Sequence, residues 1–251
     1  MKYKDYSPTI WQNIKSVTQL AKQECARPVA AFDADGTIWD VDLGENFFDF
    51  LIEHKLVSLP DNPWEHYQNL KTQDRPRAYL WLAQICKGQP FQKIQGWAQQ
   101  AIQEIHPVPI FEAQRKLIDY FLEQKIQVYI VTASVKWAVE AAAPLLGLTA
   151  ENVIGIETHI ENEIVTDKQK GEISFREGKV KALLERTGQK NAFFATGNTE
   201  GDLELLESAT HLRLAVSATR RDDRLFRTES RLARYAHEKG WLTHRFVEDE
   251  A

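Results

Sequence analysis

The chain has 251 residues, of which 43% are hydrophobic and 27% charged, and its formal net charge is −5. This composition is ordinary for a soluble globular protein, and the length accommodates one α/β core with an inserted lobe or two modest domains. The acidic balance argues against nucleic acid as a partner, because a nucleic-acid-binding domain normally carries a basic stripe. Cys25 and Cys86 lie far apart and show no zinc-type spacing.

The sequence also indicates a cellular compartment. Residues 1–5 lead into a polar, amphipathic stretch that lacks the apolar core of a signal peptide. No run approaches the roughly 20 apolar residues of a membrane-spanning helix. Two isolated cysteines are typical of reduced thiols in the cytosol. We therefore expect a cytoplasmic protein without a membrane partner, and the sequence leaves the oligomeric state open.

The first predicted elements are a helix and a buried strand. Apolar residues recur at three- and four-residue steps over 8–24, which predicts an amphipathic helix, and the apolar run 28–32 is typical of a buried strand. Between residues 40 and 109 the pattern is helical and rich in aromatic residues, without a convincing strand. The predicted helices of this block are 45–56, 64–70, 75–86 and 91–105.

After Pro109 predicted strands alternate with predicted helices. The strands are 126–131, 153–156 with a hairpin partner at 164–165, 192–195 and 212–216. The helices are 111–124, 135–146 with Gly147 as a stop, 180–186, 203–207 and 230–239. This alternation predicts an α/β fold with a parallel sheet and right-handed crossovers. We expect a core formed by residues 1–40 and 110–251, and a helical cap domain formed by residues 41–109.

Candidate site residues lie in loops after predicted strands or at the start of a helix. They are Asp33 and Asp35, Thr132, Lys179, and Asn198 with Asp202. Because parallel strands place their carboxyl ends at one edge of the sheet, these loops should converge. Lys168, Lys170 and Lys181 compete with Lys179, which we prefer because the pair Gly178-Lys179 opens a helix.

These residue types suit phosphoryl transfer. A carboxylate such as Asp33 can attack phosphorus and form an acyl phosphate, which divides one difficult step into two. Asp35 can protonate the leaving oxygen and later deprotonate the attacking water. Lys179 and the hydroxyl of Thr132 can bind the phosphate oxygens, together with backbone N–H groups at helix starts.

The same residues predict Mg²⁺ as a cofactor. Magnesium prefers oxygen ligands, often one or two carboxylates with phosphate and water. Asp33, the backbone carbonyl of Asp35, and Asn198 with Asp202 behind it could hold the ion. The ion would offset the repulsion between a carboxylate nucleophile and an anionic substrate. We therefore expect a small-molecule phosphate ester as the partner.

The ordered set of residues resembles the four motifs of the haloacid dehalogenase superfamily. The motifs are Phe32-Asp33-Ala34-Asp35-Gly36-Thr37, then Thr132, then Lys179, then Gly197-Asn198 followed by Asp202, and the match spans about residues 28–216. The resemblance implies a Rossmann-like parallel-sheet core with an inserted helical cap, of the type in phosphoserine phosphatase and phosphorylcholine phosphatase. It also implies a phosphoric monoester hydrolase that uses an aspartyl-phosphate intermediate. Asp35 resembles the acid/base of the phosphatase members, so dehalogenation is not expected.

One position departs from the pattern of the superfamily. The fourth motif usually begins Gly-Asp, whereas this chain has Asn198. An asparagine offers a carbonyl oxygen but no charge, so the departure bears on metal affinity while Asp202 remains available. Weakened or retuned magnesium binding is the expected consequence, rather than loss of activity.

The substrate side of the site has two acidic candidates. In the phosphorylcholine and phosphoserine phosphatases an acidic residue between the nucleophile loop and the cap meets the substrate amine, and Glu45 or Asp42 could do so here. Glu45 is equally well explained by its position at a helix start, where negative charge is favoured. A phosphoserine-type substrate would also need a cation for its carboxylate, which Arg75 or Arg77 could supply.

Three other functions compete with a phosphatase. A phosphotransferase would hand the phosphoryl group to a second substrate instead of water. A phospho-accepting receiver domain also uses Asp, Thr and Lys around magnesium, but its acceptor lies on a later strand, and a large cap has no place in it. A non-catalytic phosphate-binding protein is the remaining alternative, and Asn198 motivates it.

Overall fold

A seven-stranded sheet forms the centre of the molecule. The structure is a computed structural model and describes residues 3–248. The strand order is β4-β3-β2-β1-β5-β6-β7, and every neighbouring pair is parallel except the antiparallel pair β3–β4. The strands are β1 (Val29–Phe32), β2 (Gln127–Val135), β3 (Val153–Glu161), β4 (Ile164–Lys170), β5 (Phe194–Gly197), β6 (Leu212–Ser217) and β7 (Leu242–Arg245).

Strand β1 lies in the middle of the sheet between β2 and β5, and all four of its residues are buried. Ala30 and Phe32 face one apolar cluster, and Val29 and Ala31 face another. Side chains alternate along a strand, so the two clusters lie on opposite faces of the sheet. Burial on both faces explains why β1 is continuously apolar and why its carboxyl end is the natural position for a site.

Four helices separate β1 from the next core helix. They are α2 (Leu43–Glu53), α3 (Pro63–Gln73), α4 (Arg75–Gln84) and α5 (Phe91–Glu104), and we call them the helical insertion. Their aromatic residues, including Phe47, Phe48, Tyr67 and Trp97, build an apolar cluster that also contains Trp137 and Ile156 of the sheet region. The insertion contacts the edge of the sheet where the candidate site lies. The domain bounds 41–109 stay a prediction.

The remaining helices cover the two faces of the sheet. They are α1 (Pro8–Glu24), α6 (Glu112–Glu123), α7 (Lys136–Glu140), α8 (Glu177–Thr187), α9 (Leu203–Ser208) and α10 (Phe226–Glu238). Helix α1 begins with Ser7, whose side chain accepts a hydrogen bond from the backbone of Ile10, and Pro8 occupies the first turn. Among residues 3–248, no helix is long and apolar enough to cross a lipid bilayer.

The predicted helix 135–146 is confirmed over Lys136–Glu140 and is too long. Strand β2 continues to Val135, α7 ends at Glu140, and a separate 3₁₀ turn covers Ala143–Leu146. Pro144 lies in that turn and has no backbone N–H to continue an α-helix. Gly147 ends the turn in a left-handed conformation, with a φ of 68°.

Two further predictions needed correction near the carboxyl end. Helix α10 begins at Phe226 rather than at residue 230. Strand β7 was not predicted; it pairs with β6 at the edge of the sheet and carries the polar residues Thr243 and His244. A four-residue edge strand of this polarity lacks the apolar run on which the prediction of strands depends.

Candidate active site

The carboxyl ends of the central strands bring three predicted residues into direct contact. Lys179, at the start of α8, donates to Asp33 Oδ1 at 2.5 Å and to Asp202 Oδ1 at 2.6 Å. All three side chains are buried, and Lys179 is 2% exposed. Of the competing candidates, Lys168 and Lys170 are exposed and pair with Glu161 and Glu157 instead, and Lys181 is exposed. The geometry therefore selects Lys179 as the lysine of the site.

A close backbone approach puts Lys179 in this position. A Cβ atom on Gly178 would lie 1.9 Å from the carbonyl oxygen of Ile173. Only glycine lets the chain before α8 pack this tightly, so the Gly178-Lys179 pair is a structural requirement as well as a sequence signal.

Burial and mutual attraction set the charges of this centre. Burial and the charge of Asp202 raise the pKa of Asp33 to about 7, while Lys179 opposes that shift. Burial alone would lower the pKa of Lys179, but Asp202 and Asp33 raise it above its usual value. Lys179 is therefore a permanent cation between two carboxylates, and one cation cannot neutralise both. The centre still attracts a further positive charge.

Asp35 is held in place by three donors. Its Oδ1 accepts from Trp39 Nε1 at 2.8 Å and from the backbone N–H of Leu43 at 3.0 Å, and its Oδ2 accepts from Ser134 Oγ at 2.5 Å. Burial raises the pKa of Asp35, and these hydrogen bonds counteract part of the rise. A buried carboxyl with a raised pKa beside the candidate nucleophile suits a group that gives and takes a proton.

The last residues of β2 supply hydroxyl groups to the same edge, since the strand extends beyond the predicted 126–131 and includes Thr132 and Ser134. The Oγ1 of Thr132 accepts from the backbone N–H of Ser134 at 3.0 Å, and Ser174 Oγ donates to the backbone carbonyl of Thr132 at 2.5 Å. Thr132 is buried and lines the cavity, so its hydroxyl is positioned for the predicted role in binding phosphate oxygens. Sequence reasoning missed Ser134 because an isolated serine two residues after Thr132 carries no signal of its own.

Asn198 faces Asp33 through the hydroxyl of Thr37. Thr37 Oγ1 donates to Asp33 Oδ2 at 2.8 Å and lies 3.3 Å from Asn198 Oδ1. Gly36 makes room for the amide, since a Cβ at this position, where φ is 73°, would lie 2.1 Å from Asn198 Nδ2. The Nδ2 atom donates to Glu229 Oε1 at 3.0 Å. Sequence reasoning missed Glu229, which lies in a charged stretch that is typical of a solvated helix.

The residues of this centre fit a magnesium ion. Asp33 Oδ2 and Asn198 Oδ1 lie around one hydroxyl, and the backbone carbonyl of Asp35 follows two residues after Asp33. Asp202 Oδ2 already accepts from the backbone N–H groups of Asn198 and Thr199, at 3.2 and 3.0 Å. Asp202 therefore mainly holds the Asn198 loop in place instead of offering this oxygen to the ion. Within residues 3–248, no group of three or more His, Cys, Asp or Glu side chains could hold a metal ion. Magnesium needs only one or two protein carboxylates.

The predicted substrate residue Glu45 is engaged by two cations. Lys71 Nζ donates to Glu45 Oε1 at 2.9 Å, and Arg224 donates to Glu45 Oε2. Burial acts to raise the pKa of Glu45, but Lys71 and Arg224 together lower it, so the carboxylate is ionised. Glu45 is 8% exposed and does not line the cavity, whereas Asp42 does.

A cavity of about 600 Å³ connects these groups. Its floor is the carboxyl edge of the sheet with Asp33, Asp35 and Lys179, and its walls come from the helical insertion and from the segment between β6 and α10. Arg75 lines the cavity and Arg77 does not. The volume suits a small metabolite.

The fold and this site define a hydrolase class. The sequence profile of the haloacid dehalogenase-like hydrolases matches residues 30–207, and the chain belongs to this family. The family profile confirms the predicted superfamily, and the parallel sheet confirms the predicted α/β class.

Individual relatives are more distant. A phosphorylcholine phosphatase of Pseudomonas aeruginosa is 25% identical over 190 residues, which cover 60% of this chain and 54% of the relative. The chain thus spans about half the length of that relative. A protein of unknown function from Anaerococcus prevotii superposes with a TM-score of 0.73 at 14% identity, over 98% of this chain and 97% of that one. A phosphoserine phosphatase with a phospho-aspartyl intermediate analogue superposes with a TM-score of 0.53 at 13% identity, over 89% and 95% of the two chains.

Proposed function

We propose that the protein is a Mg²⁺-dependent phosphomonoesterase that hydrolyses a small phosphorylated metabolite through an aspartyl-phosphate on Asp33. The observation that carries the proposal is the buried contact of Asp33 with Lys179, next to an Asp35 carboxyl fixed by three donors. A nucleophile, a cation for the phosphoryl oxygens and a proton carrier then lie in one cavity. The similarity to a phosphorylcholine phosphatase supports the same class.

The first half of the proposed reaction forms the intermediate. A carboxylate oxygen of Asp33 forms a bond to phosphorus while the bond from phosphorus to the ester oxygen breaks. Asp35 gives its proton to the leaving oxygen, so that an alcohol departs. Lys179 and the Thr132 hydroxyl bind the phosphoryl oxygens. Because these groups are already in place, they stabilise the negative charge of the transition state without any rearrangement of solvent. Magnesium, when bound, would add positive charge at the phosphoryl group.

The second half releases phosphate. The Asp35 carboxylate takes a proton from a water molecule as that water attacks phosphorus, and the acyl phosphate bond to Asp33 breaks. Inorganic phosphate leaves, Asp33 regains its charge and Asp35 regains its proton. The buried position of the acyl phosphate protects it from other nucleophiles.

The residues around the cavity bear on whether the substrate carries an amine. Amine-bearing esters such as phosphoserine or phosphorylcholine were expected because Glu45 or Asp42 could meet a substrate amine. Since Lys71 and Arg224 already neutralise Glu45, this carboxylate gives an ammonium group little support. Asp42 lines the cavity, yet burial and the nearby Asp35 raise its pKa well above the usual range, which weakens it as a counter-ion.

Phosphate release from a panel of esters tests the proposal. The panel contains p-nitrophenyl phosphate, phosphoserine, phosphorylcholine and phosphoethanolamine, each with Mg²⁺ and with a chelator. We expect release that stops with chelator and returns when Mg²⁺ is restored. Turnover that is unaffected by chelation would contradict the proposed cofactor. Phosphate appearing on an added alcohol instead of in solution would identify a phosphotransferase.

A further inference from the structure

A buried carboxylate holds two cations on the wall of the cavity. Lys71 Nζ and Arg224 each contact one oxygen of Glu45, which lies beneath them and outside the cavity lining. The Lys71 ammonium also lies 5.1 Å from the ring centre of Tyr67 and 5.6 Å from that of Tyr79. Cation–π contacts and an ion pair thus fix Lys71 in one place. Two positive groups face the cavity, with one negative charge behind them.

Two more arginines, from two different elements, line the same cavity. Arg75 begins α4 of the helical insertion, and Arg227 lies in α10 of the core. Within residues 3–248, neither guanidinium forms a hydrogen bond or an ion pair with the protein. We call Lys71, Arg75, Arg224 and Arg227 the cationic wall.

The acidic residues nearby accept hydrogen bonds from other groups, and none of them forms an ion pair with Arg75 or Arg227 within residues 3–248. The donors are Tyr3 to Asp40 at 2.8 Å, the Glu45 backbone to Asp42 at 2.8 Å, the Leu225 backbone to Asp223 at 2.7 Å, and Arg231 to Glu200 at 3.3 Å. Arg75 and Arg227 are therefore exposed cations that line the cavity without a carboxylate partner within residues 3–248.

We propose that the cationic wall binds a second anionic group of the substrate, so that the ester is formed from an alcohol carrying a carboxylate or a further phosphate. The inference rests on the proposed function, which places the reacting phosphoryl group at Asp33. One guanidinium group can bind two oxygens of a carboxylate or phosphate at once through two parallel N–H groups, and this bidentate geometry makes the contact specific. An ammonium at the same place would meet like charges.

A matched ester series tests this inference. Two- and four-carbon alkyl phosphates ending in a carboxylate, an ammonium or a methyl group differ in little besides terminal charge. We expect the carboxylate ester to show a kcat/KM about 10-fold or more above that of the methyl ester, as for a hydrogen-bonded charged group. Arg75→Gln and Arg227→Gln should reduce this advantage. Arg77→Gln in α4 and Arg234→Gln in α10 lie outside the cavity and serve as matched controls.

Two outcomes would overturn the anion site. One is an ammonium ester that is turned over as well as the carboxylate ester, and the other is a preference that survives both Arg75→Gln and Arg227→Gln. A thermal-shift series on Asp33→Asn separates this failure from that of the proposed function. If wild-type protein releases no phosphate while the carboxylate ester still stabilises Asp33→Asn most, the phosphatase proposal fails and the anion site stands. If neither turnover nor the thermal shift of Asp33→Asn distinguishes the carboxylate ester from the ammonium and methyl esters, the anion site is refuted.

A separate observation concerns Glu229, which is 2% exposed. Its Oε1 accepts from Asn198 Nδ2, and its Oε2 accepts from the backbone N–H groups of Ala218 and Thr219 at 3.1 and 3.0 Å and from Thr219 Oγ1 at 2.5 Å. The reverse amide orientation would place Asn198 Oδ1 against the Glu229 carboxylate, where both atoms are acceptors. The carboxylate therefore dictates which end of the amide faces Asp33.

The geometry points to Glu229 as a positioning residue that turns the Asn198 carbonyl oxygen toward the metal position. It also explains the asparagine in chemical terms. A carboxylate at position 198 would lie against the buried Glu229 carboxylate at the 3.0 Å spacing now occupied by a hydrogen bond. Like charges at this distance are costly in a buried site.

Thermal unfolding without and with Mg²⁺ tests this role independently of turnover. Glu229→Gln should raise the Mg²⁺ concentration at half-maximal stabilisation about 10-fold or more, as other residues that orient metal ligands do. Glu238→Gln, an exposed change in the same helix, is the control. In chelator, Asn198→Asp should unfold at lower temperature, and Asn198→Asp combined with Glu229→Gln should recover, because the glutamine amide can donate to the new carboxylate. A double variant no more stable than Asn198→Asp, or wild-type Mg²⁺ dependence in Glu229→Gln, would refute the role.

Discussion

The two sides of the cavity use positive charge in opposite ways. On the floor, Lys179 is 2% exposed and contacts two carboxylates at 2.5 and 2.6 Å. On the cationic wall, Lys71 and Arg224 share one carboxylate, Glu45, while Arg75 and Arg227 are exposed and have no ion-pair partner within residues 3–248. A buried, fully bonded cation holds a fixed geometry, whereas an exposed one stays free to meet a ligand.

This difference separates chemistry from recognition. The groups proposed to make and break bonds lie on the carboxyl ends of β1, β2 and β5, or on the turns that follow them, where strand pairing fixes the backbone. The groups proposed to select the substrate come from the helical insertion and from the segment after β6. Changes on the floor should therefore abolish turnover or stability, and changes on the wall should alter the choice of substrate.

The largest expected effect comes from the nucleophile. Asp33→Asn should lower turnover of every ester by roughly 10⁴-fold or more, because an amide cannot form the acyl phosphate. Phosphate release measured with freshly purified variant checks this, and circular dichroism serves as the control for folding. A variant with more than a tenth of wild-type activity would remove Asp33 from the mechanism.

Asp35→Asn should have the next largest effect, a decrease in kcat/KM of about 10²- to 10⁴-fold, because kcat/KM reports formation of the acyl phosphate and the leaving alcohol then departs without a proton donor. The decrease should be smallest for p-nitrophenyl phosphate, whose leaving group needs no proton. A comparison of p-nitrophenyl phosphate with an alkyl phosphate measures this dependence. An equal decrease for both esters would contradict proton donation by Asp35.

Lys179→Gln should destabilise the fold itself. The change leaves the buried carboxylates of Asp33 and Asp202 without their cation, and breaking such a pair lowers the free energy of unfolding by roughly 3–5 kcal/mol. Urea unfolding measures the difference. Lys181→Gln, an exposed change in the same helix, should stay within about 0.5 kcal/mol of wild type. Equal stabilities of the two variants would contradict the charge balance described here.

The smallest expected effect is that of salt. Raising the ionic strength from about 0.01 M to about 1 M shortens the Debye length from about 30 Å to about 3 Å. Contacts with the exposed cationic wall should weaken, so that KM rises for a carboxylate-bearing ester and much less for a methyl ester of equal length. A parallel salt dependence of the two KM values would mean that the wall takes no part in recognition.

The sequence predicted the floor of the site better than its walls, and the reason is physical. Asp33 and Lys179 follow motifs whose position in a parallel sheet dictates that they meet, and the structure brings them together. The roles of Glu229 in α10 and Ser134 in β2 depend on packing between elements that are distant in sequence, and their residue types carry no local signal. The engagement of Glu45 likewise depends on Arg224, which lies 179 residues further along the chain.

The elements show the same division. The apolar run of β1 and the amphipathic pattern of α1 were predicted closely because burial alone determines them. The break between α7 and the turn at Ala143–Leu146 depends on the missing N–H of Pro144, which the apolar pattern conceals. Strand β7 is polar and exists because β6 offers it an edge to pair with.

The most direct test of the account is a search for the phosphoryl group on Asp33. Wild-type protein is mixed with a turned-over ester and Mg²⁺, quenched in acid within one turnover, digested, and analysed by mass spectrometry. We predict a phosphorylated peptide containing Asp33, and no such peptide from Asp33→Asn or after chelation. A phosphoryl group on another residue, or turnover without any phosphorylated peptide at a time when product is forming, would contradict it.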